Sequence, residues 1–243
     1  MHRYIDQWYS PALRKNMEIA EYGHYGFAML MLPTAAADFL EYERFLLIDA
    51  IKPWIDSGIV KVYSINSINA ESWLNNSISG IQKASRHQEF NNYVYHEVIP
   101  YIRNRTSPET PIITCGASFG ALHAANLFFK RPNYIHGCIA MSGLYDLGKY
   151  SKGHWDENTY FNSPVHYLQD INDQWHLDEI RKSQYIHILS GSGSYEAPEG
   201  SRQLSDVLAS KQIAHDLDIW GYDIAHDWPT WRTMLPYLLE YKF

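Results

Sequence analysis

The stretch that decides the fold is residues 111–129, which read PIITCGASFGALHAANLFF. Its first five residues are apolar and rich in β-branched side chains, as in a buried strand, and residues 121–129 favour a helix. Between them lies Gly116-Ala117-Ser118-Phe119-Gly120. A serine in a tight turn between a strand and a helix presents its hydroxyl at the helix N-terminus, where developing negative charge is favoured. We therefore predict that Ser118 is a catalytic nucleophile.

The residues two before and two after this serine are both glycine, Gly116 and Gly120. Small residues at these positions allow the strand and the helix to approach each other without a steric clash. A Gly-x-Ser-x-Gly string alone can arise by chance, so the prediction depends on the strand before it and the helix after it.

Strand-like and helix-like patterns alternate along the chain from about residue 25 onward, which is typical of a mostly parallel sheet. The predicted strands are 26–32, 61–66, 111–115, 137–142, 185–190 and 214–221. The predicted helices are 39–57, 90–105, 121–130, 201–211 and 228–241. These elements predict one α/β-hydrolase domain over residues 1–243, with helices on both faces of the sheet and an antiparallel hairpin at the N-terminus. Residues 144–184 are less regular and are expected to form a cap-like insertion.

A serine hydroxyl needs an imidazole base, and the chain order in this fold is serine, acid, histidine. Position favours His226, which follows the last predicted strand and precedes a helix that begins near Pro229. The rival histidines lie in predicted strands, in the helix after Ser118, or before Ser118 in the chain. They are His187, His215, His123, His87 and His96.

The acid that orients the base is expected in the loop after the strand 185–190. Glu196 is nearer to the strand end and is the first choice. Glu199 is the alternative, although it could instead begin the next helix as a first-turn carboxylate.

An oxyanion hole needs two backbone N–H donors, and the first is expected from Phe119, the residue after the nucleophile. The second is expected from the loop after the first parallel strand, which reads Pro33-Thr34-Ala35-Ala36-Ala37-Asp38. Its small side chains would let a substrate carbonyl come close, so Ala35 and Ala36 are the candidate donors.

Charge and composition exclude several classes of function. The net charge of -7 comes from 27 acidic and 20 basic residues without a long single-sign run, so neither nucleic acid nor an anionic membrane is an expected partner. The two cysteines, Cys115 and Cys138, lie in apolar strands, which argues against a disulfide framework and for a reducing compartment. No signal segment and no stretch of transmembrane length is seen, so the expected location is cytoplasmic. The sequence leaves open whether the chain forms a homo-oligomer.

Taken together, these residues resemble the esterase family of α/β hydrolases that includes esterase D (S-formylglutathione hydrolase), feruloyl and acetylxylan esterases and mycolyl transferases. The resemblance rests on five segments: Tyr93-x-x-x-Glu97-x-x-Pro100-Tyr101-Ile102, the run from Gly116 to Ala121, Arg131-Pro132, Met141-Ser142-Gly143, and Trp220-Gly221 to His226-Asp227-Trp228-Pro229. The last segment is similar to a compact bacterial branch of that group. The chain departs from the family in lacking a His-Gly pair before the oxyanion loop and a Gly-x-x-Asp pattern in the acid loop.

The resemblance implies a serine esterase that cleaves esters of small or sugar-linked acyl groups through an acyl-enzyme on Ser118. Two alternatives remain open: an acyltransferase with the same three residues, and a catalytically silent carbohydrate-binding relative. No metal or organic cofactor is expected, and the expected partner is a small-molecule ester. Trp73, Trp155 and Tyr195 are predicted to contact the substrate.

Overall fold

An eight-stranded sheet forms the centre of the molecule in a computed structural model that describes all 243 residues. Its strands are β1 (Arg3–Ser10), β2 (Lys15–Tyr22), β3 (Phe27–Leu32), β4 (Val60–Ile65), β5 (Ile112–Ala117), β6 (Gly137–Met141), β7 (Tyr185–Ser190) and β8 (Asp216–Ile219). Their order across the sheet is β1-β2-β4-β3-β5-β6-β7-β8. The six strands from β3 to β8 run parallel, whereas the β1–β2 hairpin runs against β4 at one edge. The predicted fold class and the N-terminal hairpin are confirmed.

Helices cover both faces of the sheet. They are α1 (Glu41–Arg44), α2 (Leu47–Ala50), α3 (Lys52–Asp56), α4 (Gly80–Tyr93), α5 (Ile99–Arg105), α6 (Phe119–Lys130), α7 (Glu157–Tyr160), α8 (Pro164–Asp170), α9 (Gln174–Arg181), α10 (Pro198–Ser210) and α11 (Trp228–Lys242). None of them combines the length and the apolar character that a bilayer-spanning helix requires.

The alternating side chains of the strands divide the core into two apolar clusters, one on each face. In β3, Ala28, Leu30 and Leu32 belong to the larger cluster, which includes residues of α4, α5, α6 and α10. Met29 and Met31 belong to the other cluster, which includes residues of α2 and α11. Because the central strands are buried on both faces, they appear in the sequence as continuous apolar runs. Cys115 and Cys138 lie in this core as free thiols.

Two helical regions differ from the sequence-based expectation. The predicted helix 39–57 is three short helices. Leu46 separates α1 from α2 with a left-handed φ of 63°, and Ile51, with φ of -103° and ψ of 9°, separates α2 from α3. The predicted helix 90–105 is wrong at its start, since α4 begins ten residues earlier, at Gly80. Ser79 caps α4 by accepting from Gln82 N–H, and the Gln82 side chain accepts from the Ser79 N–H in return. A π-helical segment, Val94–Val98, then joins α4 to α5.

The π-helical segment anchors the N-terminal hairpin through Glu97. The Glu97 carboxylate accepts hydrogen bonds from Trp8 Nε1 at 2.8 Å, Ser10 Oγ at 2.8 Å and Ala12 N at 3.2 Å. One acidic side chain therefore satisfies three donors of the hairpin, which explains why a glutamate stands at this point of the motif.

Replacing Glu97 with alanine should destabilise the protein, because three donors would lose a charged acceptor. We expect Glu97→Ala to lower the free energy of unfolding by about 2–4 kcal/mol, measured by urea denaturation. Glu109→Ala is the matched control, since Glu109 is exposed in a loop. Equal unfolding midpoints for the two variants would contradict this role of Glu97.

Candidate active site

Ser118 occupies the turn between β5 and α6 in a conformation that non-glycine residues seldom adopt. Its φ is 58° and its ψ is -121°. The Ser118 N–H donates to Met141 O at 2.9 Å, which ties the turn to the end of β6. Strain of this kind persists only where surrounding contacts enforce it, and it is frequent at active sites.

The two flanking glycines are required by close backbone contacts. A Cβ atom on Gly116 would lie 2.3 Å from Gly120 C and O, and a Cβ atom on Gly120 would lie 2.2 Å from Leu32 O. Real Cβ atoms do not approach other atoms so closely, so any side chain at either position would force the strand and the helix apart. Helix α6 therefore packs directly against the carboxyl ends of both β5 and β3.

A buried tyrosine hydroxyl joins the ends of the same two strands. Tyr42 OH donates to Leu32 O at 2.7 Å and accepts from Ala117 N at 3.1 Å. The residue before the candidate nucleophile and the last residue of β3 are thus held by one side chain. Nothing in the sequence singled out Tyr42, because its partners are backbone atoms distant in the chain.

His226 and Glu196 come together from two separate loops at the carboxyl edge of the sheet. His226 Nδ1 lies 3.4 Å from Glu196 Oε2, and the backbone N–H of His226 donates to Ser194 O at 2.9 Å. Glu196 is buried, whereas His226 is partly exposed. Glu199, the alternative acid, begins α10 and makes no contact of this kind with His226.

Two serines and a tryptophan complete the surroundings of Glu196. Ser142 Oγ donates to Glu196 Oε1 at 2.5 Å, and Ser190 Oγ donates to Oε2 at 3.2 Å. Trp231 Nε1 donates to Ser142 Oγ at 3.0 Å. Its ring also meets the His226 ring edge-on, with centroids 5.2 Å apart.

Sequence reasoning missed this support. Ser142 follows β6 with φ of 51° and has no local signature that predicts this conformation. Trp231 lies in the first turn of α11, shortly after His226 in the chain. This short spacing was the one signal in the sequence for a contact between the two residues.

These contacts keep Glu196 ionised. Burial by itself would raise the pKa of the Glu196 carboxyl, but hydrogen bonds from His226 and Ser142 and from the Gly191 N–H outweigh it. The pKa of Glu196 therefore lies below its ordinary value. A carboxylate beside Nδ1 favours the tautomer in which Nε2 of His226 is free to accept a proton.

Ser118 and His226 line the same cavity, which has a volume of about 720 Å³. The other lining residues come from the ends of β5 to β7 and from the start of α10: Ser142, Gly143, Leu144, Tyr145, Asp146, Lys149, Tyr150, Tyr195, Ala197, Glu199, Gly200 and Gln203. No hydrogen bond joins the Ser118 and His226 side chains. A general base often closes onto its nucleophile only when substrate is bound.

The three predicted substrate contacts lie in different places. Tyr195 lines the cavity and is 94% exposed. Trp155 does not line it: its ring is 46% exposed and packs edge-on against His166.

The prediction for Trp73 as a substrate contact is wrong. Trp73 is 1% exposed and packs with Phe119 and Leu122 in a small core cluster. Its Nε1 donates to His87 Nδ1 at 2.9 Å, so both the ring and the N–H are satisfied in the interior.

The candidate oxyanion donors lie on two segments, the start of α6 directly after Ser118 and the loop after β3. Phe119 is the first residue of α6, where the backbone N–H has no partner within the helix. Ala35 and Ala36 follow the end of β3, whose Leu32 and Pro33 carbonyls touch Gly120. Both alanines are exposed, and their N–H groups make no hydrogen bond within the protein.

Solved structures share this architecture over nearly the whole chain. A ferulic acid esterase covers 98% of this chain and 97% of its own, with a TM-score of 0.73 at 14% identity. An S-formylglutathione hydrolase from Agrobacterium tumefaciens covers 98% and 93%, with a TM-score of 0.75 at 12% identity. One from Staphylococcus aureus covers 99% and 96%, with a TM-score of 0.69 at 13% identity.

The fold is that of the α/β hydrolases. The resemblance inferred from the motifs is thereby confirmed at the level of the fold. No protein-family model and no curated protein sequence matches the chain.

The lowered pKa of Glu196 has a consequence for stability at acid pH. Its contribution is fully present above its ordinary pKa of 4.5 and is lost as the pH falls through the lower value in the folded protein. The difference in unfolding free energy between the wild type and Glu196→Gln should therefore shrink below about pH 4.5. Urea denaturation at several pH values measures it, and a constant difference down to pH 3 would contradict the assignment.

Proposed function

We propose that this protein is a serine esterase that hydrolyses carboxylic esters through an acyl-enzyme on Ser118. The observation that carries the proposal is one cavity lined both by a strained serine at a helix N-terminus and by a histidine whose Nδ1 lies beside a buried carboxylate. Together these groups meet the requirements for nucleophilic acyl transfer.

In the first step, Ser118 Oγ attacks the ester carbonyl carbon, and its proton moves to His226 Nε2. Glu196 stabilises the imidazolium that forms. The carbonyl oxygen becomes an oxyanion, held by the Phe119 N–H and by a second N–H from Ala35 or Ala36. The tetrahedral intermediate then collapses, and the alcohol leaves with the proton from His226. A water molecule attacks the acyl-enzyme by the same route and releases the acid.

The comparisons support this reaction class without identifying a substrate. The similar solved structures carry the names of a ferulic acid esterase and of S-formylglutathione hydrolases. Their identity to this chain is 12–14%, so their substrates are not transferred to it.

The cavity walls favour a small substrate with polar groups. Asp146, Lys149 and Gln203 line the cavity together with three tyrosines, and its volume of about 720 Å³ is within the usual range of small-molecule sites. We therefore propose esters of small or sugar-linked acyl groups as the substrate class. The cytoplasmic location stays a prediction.

Removing the nucleophile should abolish turnover. We expect Ser118→Ala to hydrolyse p-nitrophenyl acetate and butyrate at least about 10³-fold more slowly than the wild type, because no other group can form the acyl-enzyme. Ser210→Ala, at the exposed end of α10, is the control and should keep full activity. Undiminished hydrolysis by pure Ser118→Ala would overturn the proposal.

The two loop glutamates should differ sharply in their effect. Glu196→Ala removes the partner of His226 Nδ1, so we expect kcat to fall by about 10²–10⁴-fold. Glu199→Ala should change kcat by less than about fivefold, because Glu199 lines the cavity without a hydrogen bond to His226, whose carboxylate partner is Glu196. Steady-state kinetics on the same nitrophenyl esters measures both. A larger loss in Glu199→Ala would reverse the assignment of the acid.

A further inference from the structure

The loop after β3, residues 33–38, is held from one side by a buried carboxylate. Thr34 N donates to Glu41 Oε2 at 2.8 Å, and Thr34 Oγ1 donates to Glu41 Oε1 at 2.6 Å. Glu41 is buried and forms no salt bridge. Burial raises its pKa, and the two bonds from Thr34 oppose that rise. Burying a carboxylate costs free energy unless the carboxylate is well hydrogen-bonded. The two hydrogen bonds from Thr34 are the main contacts that offset this cost for Glu41.

The same loop is held from the other side by a buried amide. Asn69 Nδ2 donates to Ala35 O at 2.7 Å, and Ser67 Oγ donates to the same oxygen at 3.1 Å. Asn69 is fully buried in a short 3-10 helix, Asn69–Glu71. The carbonyl of Ala35 therefore has both of its lone pairs occupied by side chains from outside the loop.

Asn69 is in turn fixed by His123, a histidine on α6. His123 Nε2 lies 2.9 Å from Asn69 Oδ1, and burial lowers the pKa of His123 to about 3, so its ring is neutral near pH 7. Since Asn69 Nδ2 donates to Ala35 O, its Oδ1 must accept, and Nε2 of His123 carries the proton. His123 stands four residues after Phe119, about one turn along α6, the helix that directly follows Ser118. The loop is thus tied to the helix of the proposed nucleophile.

These hydrogen bonds leave the backbone N–H groups of Ala35 and Ala36, in the loop 33–38, free to donate. The Thr34 N–H is occupied by Glu41, whereas the N–H groups of Ala35 and Ala36 have no partner and belong to exposed residues. Catalysis by an oxyanion hole depends on donors that are oriented before the charge develops.

We propose that Glu41 and Asn69 are positioning residues, which fix the loop 33–38 from its two sides so that one of these N–H groups meets the oxyanion. The inference rests on the proposed esterase function, and neither residue touches the substrate.

The test compares catalysis and transition-state affinity in Asn69→Ala and Glu41→Met. Loss of a complete oxyanion donor costs about 10²–10³-fold in kcat, so a misplaced loop should cost about 10–100-fold. KM for p-nitrophenyl butyrate should stay within about twofold, because the ground-state ester makes little use of the hole. The inhibition constant of n-butylboronic acid, which forms a tetrahedral adduct on an active-site serine, should rise by the same factor as kcat/KM falls.

Asn91→Ala is the matched control. Asn91 is also a fully buried asparagine that donates one side-chain hydrogen bond, to Asn162 Oδ1 at 2.7 Å, but it does not touch the loop. A similar loss of thermal stability with unchanged kcat is expected. Glu41→Met keeps the length of the side chain, removes a buried charge and removes both acceptors of Thr34, so it carries the test if Asn69→Ala does not fold.

The outcomes separate the two proposals. A wild-type protein that neither hydrolyses esters nor binds the boronic acid would overturn the esterase function itself. An active wild type, with Glu41→Met and any folded Asn69→Ala matching Asn91→Ala in kcat and in boronic acid affinity, would overturn the positioning role alone. A joint loss of kcat and boronic acid affinity, with KM unchanged, supports it.

Discussion

The contact between Gly120 and the carbonyl of Leu32 is the constraint on which the rest of the site depends. Since a Cβ atom on Gly120 would lie 2.2 Å from that oxygen, only glycine lets the start of α6 reach the end of β3. The close packing of α6 against β3 also holds Ser118 in a turn with positive φ at the carboxyl edge of the sheet. It also sets the helix N-terminus beside the end of β3, from which the loop 33–38, with the proposed second oxyanion donor, continues.

The surroundings of Glu196 are built differently from the turn at Ser118. Hydrogen bonds between side chains hold Glu196, whereas close backbone packing holds the turn. Glu196 is buried and accepts from Ser142, Ser190 and His226, which keeps it ionised despite its burial. Trp231 supports both halves of this arrangement, since its N–H binds Ser142 and its ring meets His226. One residue of α11 therefore supports both the candidate acid and the candidate base.

The sequence predicted most of the sheet because its central strands are buried on both faces and read as continuous apolar runs. β7 has the predicted bounds, 185–190, and β5 extends only two residues beyond its predicted end. The helices were harder to predict, since the apolar spacing of residues 39–57 does not reveal the breaks at Leu46 and Ile51. The start of α4 lies in a polar stretch, where the Ser79 and Gln82 capping pair was the signal available.

Within the candidate site, chain order predicts Ser118, His226 and Glu196, and all three follow strand ends that share one edge of the parallel sheet. The sequence did not predict the supporting residues Tyr42, Glu41 and Asn69, since their contacts form only in the folded backbone. Trp73 was misplaced because an aromatic residue in a loop region looks the same in sequence whether it lines a cleft or fills the core.

The most direct measurement of the central claim is a crystal structure of the protein after reaction with a fluorophosphonate, which leaves a tetrahedral phosphonyl group on an activated serine. The account predicts one adduct, on Ser118 Oγ. One phosphonyl oxygen should lie within about 3.2 Å of Phe119 N and of a backbone nitrogen of Ala35 or Ala36. An adduct on another residue, no adduct at all, or an oxygen directed away from the loop 33–38 would contradict it.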